Sequence, residues 1–392
     1  MARTPEAPIN PEVLAWAIDE SGFTVLDLAN SLNLPAERIT SWTDGTERPS
    51  VAQLKSLAIK LRRPSALFYL PERPSRGAVP TKLRHGPRAA DRPLTPKEIQ
   101  AVRWARRIQE GLGWLLKDDL DTAAVQVPAS SLDTAPDEAA AAMRAWLGLS
   151  VNEQQSATDA RVAFNLWRQA CEARGIFVLQ FELTQNGLSG FSAPDPNAPV
   201  LAVNTAYVPQ ARTFTLGHEL GHLALNDVSA CIDFITPADN DQGVERWCER
   251  FAASLLIPLA ALRSAFTAAQ PDCDIPSLLA FTKEQARRLK VSQRAMALRM
   301  IEAGLATGSL YGAVEKAAPT GDVFPAPSDS GGGGMTAPQK RIAHLGTRAI
   351  TTYLDGARRG SLSSREVADY LRLATRDLDD IEQLLEQRSG AA

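Results

Sequence analysis

The stretch Phe214-Thr215-Leu216-Gly217-His218-Glu219-Leu220-Gly221-His222-Leu223-Ala224-Leu225 decides how this chain is read. Leu216, Leu220 and Leu223 recur at helical spacing and predict one buried face. On a helix, residues four apart lie on one side, about one turn from each other. His218 and His222 therefore offer two imidazoles to one metal ion, and Glu219 projects from the same end. Zinc acidifies the water it holds, and a carboxylate beside it can take the proton and pass it to a leaving amine. His-Glu-x-x-His on a helix is thus the pattern of a zinc-dependent peptidase. The chain has only four histidines, so a chance occurrence of the pattern is rare.

Such a centre needs a third protein ligand and an open fourth position. The best source lies around Glu245, 23 residues after His222, in Val244-Glu245-Arg246-Trp247-Cys248-Glu249-Arg250-Phe251-Ala252-Ala253-Ser254-Leu255-Leu256-Ile257-Pro258. Trp247, Phe251 and Leu255 repeat at helical spacing, and Pro258 stops the run. Glu245 and Glu249 are four apart and share a face, so spacing leaves both open. Cys248 is within reach of that face, and a thiolate binds zinc well. The plainer reading of Cys248 is a small buried hydrophobe.

These two stretches resemble the paired motifs of the ImmA/IrrE metallopeptidases. Arg212, Phe214, Thr215, Leu216 and His218 through His222 fall in register with the first motif. Glu245, Phe251, Ala252, Ala253, Leu255, Leu256 and Pro258 fall in register with the second. The resemblance implies a zincin-like core with His218, His222 and Glu245 as metal ligands and Glu219 as general base, then acid. Two features depart from the pattern. Gly217 replaces a usual alanine, and Cys248-Glu249 replace a usual Ala-Asn pair beside the third ligand.

The 392 residues are enough for two to four domains. A hydrophobic content of 44% and a charged content of 22% are ordinary for a soluble globular protein. No stretch approaches the roughly 18 apolar residues of a membrane span. The first residues lack the apolar run of a signal peptide. Cys171, Cys231, Cys248 and Cys273 are widely spaced and read as reduced thiols. A cytoplasmic location is expected on these grounds.

Residues 9 to 63 read as short helices joined by tight turns, the spacing of a helix-turn-helix unit. Thr24 and Ser50 are placed to cap two of them, and Asn33-Leu34-Pro35 makes a turn. Ile9-Asn10-Pro11, Leu28-Ala29, Arg38-Ile39, Trp42, Gly45 and Pro49 resemble the XRE (Cro/repressor-like) family, and Phe68-Tyr69-Leu70-Pro71 ends the unit as in long ImmA/IrrE proteins. The resemblance implies that the helix from Ala36 enters the major groove. Charge speaks against a DNA reader. Residues 1 to 60 hold five basic residues against eight acids, whereas phosphate neutralisation supplies much of a DNA reader's affinity. Protein docking or dimerisation is the rival role.

Residues 76 to 107 are basic instead, with Arg76, Lys82, Arg84, Arg88, Arg92, Lys97, Arg103, Arg106 and Arg107 against Asp91 and Glu98. This segment reads as an irregular Pro-rich linker followed by a helix from Thr95 or Pro96, and is either a solvated linker or a phosphate contact.

Residues 136 to 174 are Ala-rich and helical in pattern, ending at Gly175. Residues 176 to 183, 187 to 192 and 200 to 203 read as strands. An extended substrate could join the edge of that sheet. Residues 276 to 304 read as a second helix-turn-helix with Arg294 and Arg299 outward, or as a helical subdomain packed on the core. The expected fold is therefore α+β and mostly helical. An XRE-like domain covers 1–74, and a basic linker and helix 75–135. A zincin-like core with a small β-sheet covers 136–268, and a second helix-turn-helix-like subdomain 269–315. A flexible Pro/Gly linker covers 316–338, and a C-terminal helical module 339–392.

The expected function is a zinc-dependent, site-specific endopeptidase that cleaves an XRE-type repressor and so controls stress, prophage or mobile-element genes. Zinc suits a nitrogen and oxygen ligand set, and manganese is the other option. Tyr207 and Arg212 lie near enough in sequence to be weighed as oxyanion stabilisers. DNA is a second expected partner, through the N-terminal unit and residues 76 to 107, and a dimer is compatible with the sequence. The alternative is a transcription regulator or antitoxin-like binding protein that uses the zincin fold as a scaffold. An intact Glu219 argues against it, because a scaffold needs no base.

Overall fold

Side-chain caps set the helix boundaries in the N-terminal quarter. The computed structural model describes residues 5–74, 82–85, 94–117, 123–184, 187–225, 241–317 and 335–389. It divides into two units, Met1–Ala78 with Ala90–Trp104, and Val79–Ala89 with Ala105–Ala392. In the first, α1 (Pro11–Asp19) starts from Asn10, whose side chain accepts from the Glu12 N–H. Thr24 caps α2 (Val25–Leu32), which ends at Asn33 in the left-handed region, φ 54°. Asn33 to Pro35 leads into α3 (Ala36–Thr43). Ser50 and Gln53 form a capping box that opens α4 (Val51–Leu61). Trp42, Phe68, Leu14, Leu28, Ile39 and Leu54 close a core between these helices. The start of α5 (Pro96–Lys117) belongs to the same unit, where the Arg103 guanidinium reaches the carbonyl of Glu20.

In the second unit, residues 136 to 174 fold as three helices rather than one run. They are α6 (Pro136–Leu147), α7 (Val151–Ser156) and α8 (Ala160–Ala173). Ser150 with Glu153 caps α7, and Asp159 caps α8 by accepting from the Arg161 and Val162 N–H groups. These caps break a helical pattern that the Ala-rich composition alone would continue.

Among the described residues the sheet has four strands, β1 (Lys82–His85), β2 (Phe177–Phe181), β3 (Leu188–Ala193) and β4 (Val200–Asn204), in the order β1-β3-β4-β2. β2 and β4 are parallel, while β3 is antiparallel to both β4 and β1. The last three strands are buried along their length. Val178, Leu201 and Val203 join the core that carries Leu216 and Leu220, while Phe181 stacks on Phe191 with ring centroids 6.1 Å apart.

β1 corrects the reading of the segment before Thr95 as an irregular linker. Four residues are too few to show alternation, yet they suffice to pair the outer N–H and C=O groups of β3. β3 is consequently paired on both sides, and β1 and β2 are the outer strands of the sheet. Arg76, Arg88, Arg92 and Cys231 lie outside the described residues, as does most of the Pro/Gly linker; Lys82 and Arg84 are described in their backbone alone.

The remaining helices are α9 (Pro209–Leu225), α10 (Asp241–Leu256), α11 (Leu259–Ala269), α12 (Ile275–Leu289), α13 (Gln293–Glu302), α14 (Gly308–Ala317), α15 (Ala337–Arg358), α16 (Ser364–Leu371) and α17 (Leu378–Ser389). α12 to α14 pack on the same core as α9 and α10 through Phe281, Met296, Met300 and Leu310. Gln154 ties this region together, donating to the carbonyls of Leu256 (3.1 Å) and Leu289 (2.8 Å). Arg299 is a second correction. It is 3% exposed rather than outward. Its Nε donates to the Ile257 carbonyl at 3.1 Å, and the guanidinium pairs with Asp137 and Glu302. A helix-end carbonyl and two carboxylates draw the side chain inward where periodicity suggested solvent.

α15 docks along β2. The Ala343 carbonyl accepts from Arg168 Nη1 and from Gln180 Nε2, both at 2.9 Å. Gly346 interrupts the helix there at φ 82°, ψ 164°, where a β-carbon would lie 2.8 Å from Arg168 Nη2 and also collide with Glu172. Tyr353 donates to the Ile108 carbonyl at 2.8 Å, and Gln109 donates to the carbonyls of Ala193 and Ala198. The C-terminal helices are thus part of the second unit. Among the described residues, no single helix is long and apolar enough to cross a membrane.

Arg299→Ala should lower stability by about 1.5–3 kcal/mol, the usual range for a lost hydrogen bond to a charged group. Urea unfolding should show the shift in midpoint with little change in slope.

Candidate metal centre

α9 starts at Pro209 and buries nearly all of Thr213 to Ala224. Leu216 and Leu220 enter the core between the sheet and α10. The histidine face of α9 meets α10 where neither helix has bulk between them. A β-carbon on Gly221 would lie 3.3 Å from Cys248 Cα and 3.1 Å from Phe251 Cδ1. That approach brings Glu245, one turn before Glu249 on α10, over the two imidazoles.

His218, His222 and Glu245 each place one ligand atom within 4.8 Å of the others. His218 Nε2 is 3.0 Å from Glu245 Oε2, and His222 Nε2 is 3.2 Å from Glu245 Oε1. The two Nε2 atoms are 3.1 Å apart. These separations match the edges of a tetrahedron around a zinc ion, about 3.3 Å for bonds of about 2.0–2.1 Å. His218 is fully buried and His222 nearly so, while the Glu245 side chain is 41% exposed. The cluster is therefore enclosed by protein on the imidazole side and open beside the carboxylate. Burial by itself raises the Glu245 carboxyl, but hydrogen bonding to His218 and His222 outweighs it and holds the group well below the usual carboxylate range. A carboxylate that stays ionised between two imidazole nitrogens is a donor set suited to a divalent cation.

Cys248 is placed behind the cluster rather than in it. Its Sγ is 3.6 Å from His222 Nδ1. A ligating histidine ordinarily has its second nitrogen held by an acceptor, which fixes the tautomer and the ring orientation. Here sulfur, a weak acceptor, occupies that position. Glu249 is exposed and is not among the three clustered residues. Glu219 is fully buried, with Oε1 3.4 Å from where a β-carbon on Gly190 would sit. The same added carbon would collide with Thr215 and lie 2.7 Å from the Ala202 carbonyl. Gly190 thus lets β3 close over α9, a role that a glycine inside a strand signals in sequence.

Tyr207 and Arg212 have local partners. Tyr207 donates its hydroxyl proton to the Gly187 carbonyl at 3.0 Å. Arg212 Nε donates to the Tyr207 carbonyl at 2.9 Å, and its Nη1 to Gln180 Oε1 at 3.2 Å. Gln180, which sequence reasoning passed over, therefore links α9 to the Ala343 carbonyl of α15.

Residues 171–300 match the family model Peptidase_M78, the IrrE N-terminal-like domain. The matched span holds the last three strands, α9 with both histidines and Glu219, and α10 with Glu245. It implies a peptidase-type function and suggests a metal. No curated protein matches the chain.

Elemental analysis should find about one divalent ion per wild-type chain. Glu245→Gln should lose most of it and Glu249→Gln should keep it; the reverse result would reassign the third ligand. Cys248→Ala should weaken metal affinity by about tenfold, the lower end of the effect of outer-shell partners, as read by competition with a chromogenic chelator.

Proposed function

We propose that this chain is a zinc-dependent, site-specific endopeptidase whose substrate is a repressor-type regulatory protein. The observation that carries the reading is the convergence of His218, His222 and Glu245 beside a buried Glu219, inside the segment that matches a peptidase family. The two imidazoles and the Glu245 carboxylate would hold the ion. Bound there, it supplies Lewis acidity, polarising a carbonyl and acidifying water.

The protein's own part is proton handling and positioning. Glu219 follows His218 directly in α9, so one rigid helix carries both ligand and base. Its carboxylate takes a proton from the attacking water and returns it to the leaving amine, where the pattern of this family places the base. Packing of Gly190 and Thr215 keeps the carboxylate under β3 and shields that side from bulk solvent. The open flank beside Glu245 is the side from which a peptide enters.

The XRE-like reading of the N-terminal unit belongs to this proposal, with the unit selecting the target. α2 and α3 flank the turn at Asn33 to Pro35, and Arg38 on α3 pairs with Glu47 at 2.6 Å. A paired cation favours recognition of a protein over a phosphate backbone. In the basic segment, Arg103 reaches the Glu20 carbonyl and Arg107 lies 4.9 Å over the Tyr370 ring, so two of its cations have internal roles.

Glu219→Gln should retain fold and metal but lose turnover by about 10²- to 10⁴-fold or more, since one residue serves both proton transfers. The check is incubation of the purified chain with candidate repressors, with zinc or manganese supplied, looking for one cut fragment. Full complementation of a deletion by Glu219→Gln would sink the peptidase reading.

A further inference from the structure

Gly190 of β3 has two neighbours whose positions bear on each other. Toward α9, a β-carbon added to it would lie 3.4 Å from Glu219 Oε1. Within the sheet it pairs with Arg84 of β1, in a register that also sets Leu83 against Phe191 and Lys82 against Ser192. Partners across an antiparallel pair stand about 4.5–5.5 Å apart at Cα. The backbone of β1 therefore runs one strand's width from the residue that covers the base.

A peptide held for cleavage is extended, and its backbone N–H and C=O groups need partners. The free edge of a strand supplies them as a ladder. β3 has one edge on β4 and the other on β1. With β1 gone, the second edge would offer its backbone groups to an incoming strand beside Glu219. The present burial agrees with an occupied edge. Glu219 and His218 are fully buried, whereas the Glu245 side chain is 41% exposed. The side of the cluster that holds the base is closed, yet a base that takes a proton from water needs that side to open.

β1 has the character of a strand that can leave. It is four residues long, and its register shifts between Arg84 and His85. Such irregularities end pairing at sheet edges and beside active sites. A short, irregularly paired segment opens at a small fraction of the cost of unfolding the whole. The chain's path adds a means of withdrawal. Val79–Ala89 belongs to the second unit, while the residues through Ala78 and those from Ala90 belong to the first. Both ends of the β1 segment thus run into the first unit, and the strand between them pairs in the second.

We infer that β1 is an internal occupant of the peptide site. Residues 82–85 pair with the β3 edge that an extended substrate segment would use, and they hold the protein inactive until the strand withdraws. The ligand of the vacated edge is an extended peptide running antiparallel to β3. The inhibitory consequence rests on the peptidase reading, whereas competition for the edge is measured by binding.

Two probes of the zinc-loaded full chain separate these readings, both titrated by calorimetry. Acetohydroxamate reaches a metal without needing a strand edge, and Pro-Leu-Gly hydroxamate needs both. The variant is Leu83→Pro with Arg84→Pro. Successive N–H groups of a strand point to opposite sides, so one of the two prolines removes a donor aimed at β3. Acetohydroxamate should bind wild type and variant alike. Pro-Leu-Gly hydroxamate should bind the variant at least tenfold more tightly, and a synthetic peptide of residues 79–89 should compete with it. Wild type incubated with zinc should stay intact by mass spectrometry. Should the proline variant fail to fold, Leu83→Gly with Arg84→Gly, which loosens the strand and keeps the donors, should show a several-fold gain. Equal affinity of Pro-Leu-Gly hydroxamate for wild type and the folded variant, with acetohydroxamate bound by both, would overturn this inference and leave the peptidase reading standing. A cut within residues 79–89 would make the strand a substrate and overturn it too. Failure of acetohydroxamate to bind either protein would overturn the metal-centre reading and this inference with it.

Discussion

The close approach of α9 and α10 is the constraint on which the metal cluster rests. Two histidines one turn apart on α9 are fixed by helix geometry alone, but the third donor must come from another element. Glu245 reaches them because Gly221 lets Cys248 and Phe251 of α10 sit against the α9 backbone. The apolar residues that hold the crossing, Leu216, Leu220, Phe251 and Leu255, are fully buried in one core. Burying them supplies the free energy that keeps a carboxylate facing two imidazoles. The same crossing puts Cys248 behind His222, so helix packing and ligand orientation are set together.

Much of this was legible in one dimension. The His-Glu-x-x-His spacing, the leucine stripe of α9 and the aromatic repeat of α10 are local periodicities, and a helix converts them directly into faces. Caps were equally readable: Thr24 and Ser50 bond the N–H groups that their positions implied. Spacing did not choose between Glu245 and Glu249; only the resemblance pointed to Glu245. Both share a face of α10, and only the point at which α10 crosses α9 separates them. β1 escaped for another reason, since an edge strand of four residues is specified by its neighbour's unpaired backbone more than by its own side chains. Arg299 escaped because a long side chain follows its hydrogen-bond acceptors, and those belong to distant segments, Asp137 and Ile257.

Charge and polarity also separate the regions of the second unit. Around the metal cluster, carboxylate and imidazole answer each other. Near the end of α10, the buried Arg144 guanidinium lies over the Trp167 ring and donates to Gln154 and to the Leu255 carbonyl. One helix, α10, therefore carries Glu245 near its beginning and receives a buried cation at its end.

The docking of α15 bears on where this protein can be cut. The matched family segment stops at residue 300, which invites a shorter recombinant fragment. The Ala343 carbonyl, however, receives hydrogen bonds from Arg168 and Gln180, and Gln180 in turn holds Arg212 at the start of the histidine helix. A fragment ending before Ala337 would strip an acceptor from a buried guanidinium and bare the flank of β2. The boundary of sequence similarity and the boundary of the cooperative folding unit are thus different places in this chain.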